Sequence, residues 1–343
     1  MTVHPWNEDI LKQLVAQRER SAHAWLFTGP AGIGKTDCAM AFARQLTGAT
    51  DEPRMGALFD AGTHPDVHVI VREIDTEDSD LLHHRYARRH VEERAKGAKP
   101  KTVITIGQVR RLIEALSTHA HSGRCKVALV LDAHQMNINA ANALLKLLEE
   151  PPEDTVLVCV TDQMHRLPAT VRSRCAIVPF SLPARDPARQ WLAARVPEAS
   201  VDVALDLAGG APLEALRLVN EERLEGRKQW LKGLEALYSG RADPPAVAEI
   251  GIQKVGLSEA LSLSQKVLAD LVRCRLGAPP ERLFNPDMRQ WLQKRSQRLQ
   301  LDDTFDLIDA LGRMRQDVDG PLDAALQLED TLVRMRQAVA GSA

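Results

Sequence analysis

Gly29-Pro30-Ala31-Gly32-Ile33-Gly34-Lys35-Thr36, entered from Ala24-Trp25-Leu26-Phe27 and left through Asp37–Leu46, decides the fold. The eight residues satisfy G-x-x-x-x-G-K-[ST], the spacing of a phosphate-binding loop. The apolar residues ahead of it read as a short buried strand, and DCAMAFARQL after it reads as a helix. Glycines at 29, 32 and 34 reach backbone angles that side chains forbid, so successive N–H groups can turn inward onto phosphate oxygens. The helix that follows opens on unpaired N–H donors and a partial positive charge. Gly29, Gly32, Ile33, Gly34, Lys35 and Thr36 are therefore the candidate nucleotide-binding residues, with Lys35 toward the β- and γ-phosphates and Thr36 toward Mg²⁺. A glycine-rich turn that binds nothing is the bland alternative.

Outward from the loop, Ile10–Ser21 has helical spacing, Thr47–Gly62 is a turn-rich connection, and Val67–Val71 reads as a strand. Arg72–Lys101 is densely charged, with acids in 73–80 and bases mostly in 85–101, which predicts a mobile excursion without a core of its own. Ile106–His119 resumes a helical pattern. Lys126–Asp132, Thr155–Thr161 and Ala176–Phe180 are strands, and Asn139–Glu150 is a helix stopped by Pro151-Pro152. Strands alternating with helices around a phosphate loop predict a parallel α/β domain over about the first 180 residues. After Pro183 and Pro187 the patterns are helical throughout. Three short helices lie within 189–221, and longer ones at 226–238, 257–275, 288–298, 304–315 and 322–339. Arg282, Arg289, Lys294, Arg295 and Arg298 form a basic cluster, read as a solvated face or a DNA contact.

Composition narrows the classes. The 343 residues carry a net charge of −2, so any nucleic-acid contact must be local or made through a partner. The longest apolar runs are too short to span a membrane, and residues 1–9 do not resemble a signal peptide. Five scattered cysteines suit buried thiols in a reducing compartment, so the expected location is cytoplasmic.

Asp132 ends an apolar strand downstream of the loop, where an acid should hold the Mg²⁺ shell. The next residue is Ala133, so no general base follows it; His134 reads as structural. Thr161, closing the next strand, can reach a γ-phosphate or simply end the strand. Arg174, within Thr170-Val171-Arg172-Ser173-Arg174-Cys175, can be a local salt-bridging residue or a charge offered outward.

GPAGIGKT, VALVLDAHQM, NALLKLLEEPP and TVRSRC, in this order, resemble the bacterial clamp-loader members of the AAA+ superfamily. The similarity is strong over Ala24–Phe180 and extends to AGTHPD (61–66) and GGAPLEAL (209–216). It implies an AAA+ P-loop sheet domain (1–182), a small helical lid (183–223) and an all-α collar for oligomerisation (224–343). It further implies a five-subunit ring with motor ATPase subunits and delta, acting on a sliding clamp and primed DNA. Two departures point to a non-motor member. Motor subunits usually carry Asp-Glu where this chain has Asp132-Ala133, and an arginine where it has Leu213. ATP or ADP with Mg²⁺ stays open as a cofactor, while turnover by the chain itself is not expected. The family commonly places four cysteines between the loop's helix and AGTHPD; Thr47–Ala61 has none, so no zinc is expected. Because the chain keeps Arg174 while losing its own water-activating acid, Arg174 is expected to serve ATP on a neighbouring subunit. An active AAA+ ATPase, such as the motor itself, is the alternative; a small-molecule phosphotransferase has no use for TVRSRC or the helical tail.

Overall fold

Ala24–Thr28 (β1) is apolar on both faces because it lies inside a sheet, flanked on either side by parallel strands. The computed structural model describes residues 3–17, 23–77, 79–92, 98–121, 124–220, 223–279, 282–297, 299–316 and 324–340. The other strands are Val67–Ile70 (β2), Lys126–Val130 (β3), Thr155–Thr161 (β4) and Ala176–Pro179 (β5). All five are parallel, in the order β2-β3-β4-β1-β5. The register sets Leu26 opposite Cys159 on one side and Ile177 on the other. β5, at an edge, is the one strand whose burial alternates along its length. The expected strands are therefore present, with ends shifted by no more than two residues.

Helices Lys35–Leu46, Ile106–Leu116 and Ile138–Glu149 cover the sheet. Thr105 and Gln108 form a reciprocal capping box, and Gln108 also donates from Nε2 to the carbonyl of Val71 (2.7 Å), fixing that helix to the end of β2. Asn137 caps the next helix at the N–H of Ala140 (2.8 Å). Leu26, Ile70, Leu112, Val130, Leu144 and Cys159 share one core.

Two segments depart from the expectation. The turn-rich connection contains a helix, Pro53–Asp60, with proline in its first turn where the missing N–H costs nothing. Phe59 from that helix is fully buried against Tyr86 and His64. The charged stretch is the second. It does bury apolar groups: Leu82–Ala87 is a helix packed on β2, and Tyr86 and Ala87 are inaccessible to solvent. Tyr86 donates its hydroxyl to the carbonyl of Phe59 (3.0 Å). Tyr86 and Arg89, which donates to the carbonyls of Gly62 (2.9 Å) and His64 (3.0 Å), anchor the stretch. Residues 78 and 93–97 of it lie outside those described, as do residues 18–21 of the expected first helix, whose described part is Glu8–Gln17.

The β2 edge of the sheet carries a buried imidazole group. His68 and His90 lie 5.5 Å apart between ring centres, and neither nitrogen of His90 has a hydrogen-bond partner. Burial, reinforced by Arg89, lowers the pKa of His68 to about 4. Burial, with His68 and Arg89 adding to it, lowers that of His90 to about 3. Burial lowers His64 as well. Unfolded, all three would titrate near 6.5, so the unfolded chain binds more protons below that pH and stability falls as the solution is acidified. Stability is therefore expected to be full above pH 6.5 and to drop, on the order of a few kcal/mol, between there and about pH 4. Urea unfolding across that range should show a shallower drop in His90→Leu, and an unchanged slope would contradict the assignment.

Residues 1–187 and 188–343 form two compact units. The second contains two separate cores. Helices Arg185–Ala193, Glu198–Leu207 and Pro212–Asn220 bring together Leu192, Val201, Leu205 and Ala215. Among the described residues six further helices, Arg223–Tyr238, Pro244–Lys254, Leu257–Arg275, Arg289–Ser296, Leu301–Gln316 and Ala324–Ala340, enclose Trp230, Leu234, Leu268, Leu311, Leu328 and Leu332. Among the described residues no strand follows Pro179, and no helix is long and apolar enough to cross a membrane. Arg282, Arg289 and Lys294 are exposed and Arg295 is half-buried, while Arg298 lies outside the described residues.

Candidate functional site: a phosphate loop with an incomplete hydrolytic centre

Gly29, Gly32 and Gly34 take φ values of 146°, 71° and 82°, the conformations that a loop with inward-facing amides requires. Gly29 has a second reason to lack a side chain: a Cβ there would stand 2.2 Å from the carbonyl oxygen of Phe180, at the end of β5. Ile33 is fully buried beneath the loop, and Gly34 caps the helix that Lys35 begins. Lys35 is 6% exposed, and its Nζ donates to the carbonyl of Gly29 (2.9 Å) and to that of Pro30. Its burial lowers the pKa, opposed by the carboxylates of Asp162 and Asp132. Thr36 is half-buried in the first helical turn.

The chain's beginning holds the loop from outside. Trp6 Nε1 (2.9 Å) and Asn7 Nδ2 (2.8 Å) both donate to the carbonyl of Ile33. His4, stacked on Trp6, meets Asp37 Oδ2 at 2.9 Å. A Cβ on Gly34 would sit 2.4 Å from the His4 ring. Sequence reasoning gave these residues no role; a proline followed by an indole and an amide was the available signal.

Asp132 stands two residues past β3 in a left-handed conformation (φ 48°, ψ 46°), unusual for a residue with a side chain. Solvent reaches its carboxylate, yet the surrounding protein displaces enough water to raise its pKa, with His134 opposing and Asp162 adding to the rise. The strained turn directs the chain so that Ala133 is fully buried. His134, also buried, faces inward: its Nδ1 lies 3.1 Å from Thr161 Oγ1 and 3.4 Å from Asp162 Oδ1. Thr161 is inaccessible to solvent and accepts from the N–H of Gln163 (3.1 Å). Lys35, Asp132 and Thr161 are thus joined by His134, read from the sequence as structural, and by Asp162, which the sequence left aside. Nothing at position 133 can take a proton from water.

Arg174 lies on the surface. It follows the short helix Ala169–Arg172 and precedes β5, with Cys175 beside it packed against the core. Its guanidinium pairs with Glu149 (2.6 Å) and donates to the carbonyl of Thr170 (3.0 Å), so the local salt bridge left open above is present. Both partners are well exposed, which limits such a pair to about 0–1 kcal/mol. Among the described residues, no group of three or more His, Cys, Asp or Glu is arranged to hold a metal.

A parallel sheet in this order, with a glycine loop after β1, an acid after β3 and a polar residue closing β4, defines an AAA+ type P-loop domain. Two family profiles match the chain: one described as "DNA polymerase III, delta subunit" over residues 6–184, and its C-terminal counterpart over residues 221–337. The DNA polymerase III delta-prime subunit of Pseudomonas aeruginosa is 36% identical over 257 residues, covering 72% of this chain and 70% of that one. That of Escherichia coli is 31% identical over 245 residues, covering 68% and 66%. A solved gamma subunit-related protein of Thermotoga maritima, 16% identical, matches 96% of this chain and 99% of its own with a TM-score of 0.52, a likeness of fold. The chain belongs to the delta-prime family of DNA polymerase III subunits.

Proposed function

We propose that this chain is the non-motor subunit of a replicative clamp loader, which binds ATP or ADP with Mg²⁺ but does not hydrolyse it. In this reading it sits beside the motor subunits and delta in a five-subunit ring, in the cytoplasm, and helps place a sliding clamp on primed DNA. Family membership supports the assembly. One observation supports the division of labour: Lys35 and Asp132 flank a well-formed glycine loop, while Ala133 is buried and His134 is turned onto Thr161. Lys35, Thr36 and the loop amides would hold the phosphates, and Asp132 the Mg²⁺ shell. Binding needs no base; hydrolysis does. Arg174 then acts on ATP held by the adjacent motor subunit.

The purified chain is expected to bind ATP or ADP with negligible turnover, and Lys35→Ala to abolish that binding by removing the charge that faces the phosphates. Calorimetry and a phosphate-release assay measure the two, and sustained hydrolysis by the pure chain would promote the motor reading. Zinc does not fit this chain's connection after the phosphate-loop helix. Thr47–Ala61 offers no thiolate, and its helix is spent on burying Phe59 and pairing Asp60 with Arg44. Elemental analysis should find no stoichiometric zinc, and about one atom per chain would refute this.

A further inference from the structure

The second unit contains a cavity of about 100 Å³, room for about three waters or for one end of a small organic molecule. Four of its lining residues are cationic, Arg223, Arg227, Lys254 and Lys266, against one acid, Glu259. Glu259 is already engaged by Arg223 at 3.0 Å. Neither Lys254 nor Lys266 makes an ion pair with a described residue, and Lys266 is only partly open to solvent. Apart from Asn285, the remaining wall is apolar, with Leu218 and Phe284 among its side chains.

Arg227 is the built part of the site. It is 5% exposed, and its guanidinium edge is fixed: Nη1 and Nη2 donate to Asp287 (2.7 and 2.8 Å), and Nη2 also to Asn285 Oδ1 (2.7 Å). Asn285 is held in turn by Asp270, a fully buried carboxylate that accepts from its N–H (2.7 Å) and its Nδ2 (2.9 Å). Arg227 has five N–H groups, and these bonds use three of them. Its Nε is buried and has no hydrogen-bond partner. A buried charge fixed this firmly with its Nε–H unspent is costly unless something accepts from it. The same wall holds two lysines without acids to answer them.

We infer that this cavity is a binding site for a small organic oxyanion, a phosphate or carboxylate carried on an apolar body. Arg227 Nε, Lys254 and Lys266 would receive the oxygens, and Leu218 and Phe284 the apolar part. The site is independent of the nucleotide loop and of the reading proposed above. Charge alone would suit inorganic phosphate, but the apolar wall gives an organic anion the advantage.

The test uses the full chain carrying Lys35→Ala, so that the phosphate loop contributes nothing, with phenyl phosphate and octanoate as probes in calorimetric titration. At least one probe is expected to bind at one site per chain, more tightly than inorganic phosphate. Lys266→Gln is expected to weaken it at least ten-fold while leaving the melting temperature of the unliganded chain unchanged. Leu218→Asp, introduced separately, should weaken it too, through the apolar wall. Methyl-region NMR of leucines should shift at Leu218 and not at Leu144 of the sheet domain. Absence of binding by both probes, binding indifferent to Lys266→Gln, or shifts confined to the sheet domain would each overturn the assignment.

Discussion

Arg174→Ala is expected to fold, to assemble with its partners, and to lower ATP turnover at one site of the reconstituted loader by roughly 10³–10⁵-fold, the range for a trans-acting arginine. The structure makes this a sharp test, because Arg174 also has a local partner. If its work were only to hold Glu149, losing either residue would cost the same small amount, about 0–1 kcal/mol, and turnover would not change. If it serves the neighbour's ATP, the two variants separate. Glu149→Gln frees the guanidinium and leaves turnover intact or raised, whereas Arg174→Ala removes it. The weakness of an exposed pair is what allows a more negative phosphate to displace Glu149. Arg174→Lys should recover little, since a planar fork matches dispersed phosphoryl charge and a point ammonium does not. Wild-type turnover and clamp loading with Arg174→Ala would end the proposal.

Trp230→Ala should destabilise the second unit by about 3–5 kcal/mol, the cost of deleting a large buried ring. Against a whole-domain stability of roughly 5–15 kcal/mol, that is about a fifth of the total at the least. The site cannot collapse easily, because the packing across it is already tight. A Cβ on Gly251 would stand 2.5 Å from the indole and 2.7 Å from Leu328, so helix 244–254 approaches the ring as closely as a glycine permits. Gly251→Ala is accordingly expected to cost about 1–3 kcal/mol by overpacking. Trp230→Phe should be far milder than Trp230→Ala. The indole Nε1 is buried without a hydrogen-bond partner, so its loss removes an unsatisfied donor along with some contact area. Urea unfolding of the full chain, followed by circular dichroism, ranks the three. A Trp230→Phe as damaging as Trp230→Ala would mean that the N–H has a role the geometry does not show.

The central sheet was legible because buried parallel strands are continuous apolar runs, and β1, β3 and β4 have no polar face to confuse the period. Their order was not legible, since no local pattern says that β1 lies between β4 and β5. Helix 244–254 escaped notice for a local reason. Its sequence opens on two prolines and contains Gly251, residues that interrupt a helical pattern. Asp243 caps it at the N–H of Ala246 (3.2 Å), and proline is well tolerated in a first turn. At the candidate site the loop, Asp132, the missing base at Ala133 and Thr161 could all be named from spacing. The contacts that His134, read as structural, makes with Thr161 and Asp162 could not, because they arise only where two strand ends face each other. The role of Trp6 and Asn7 was hidden for the same reason: a hydrogen bond spanning 26 or 27 residues leaves no periodic trace, and only their residue types hinted at it.

The strand order also fixes a timetable. β1 makes no pairing with β2 or β3; both of its neighbours, β4 and β5, begin more than a hundred residues later in the chain. On the ribosome, at about 5–20 residues per second, the strand leading into the phosphate loop waits roughly 6–25 s for its first partner. Through that interval Ala24-Trp25-Leu26-Phe27 is an unpaired apolar segment, the kind that nascent-chain chaperones engage. A polypeptide ending before β4 could contain every residue of the phosphate loop and still have no sheet to hold it.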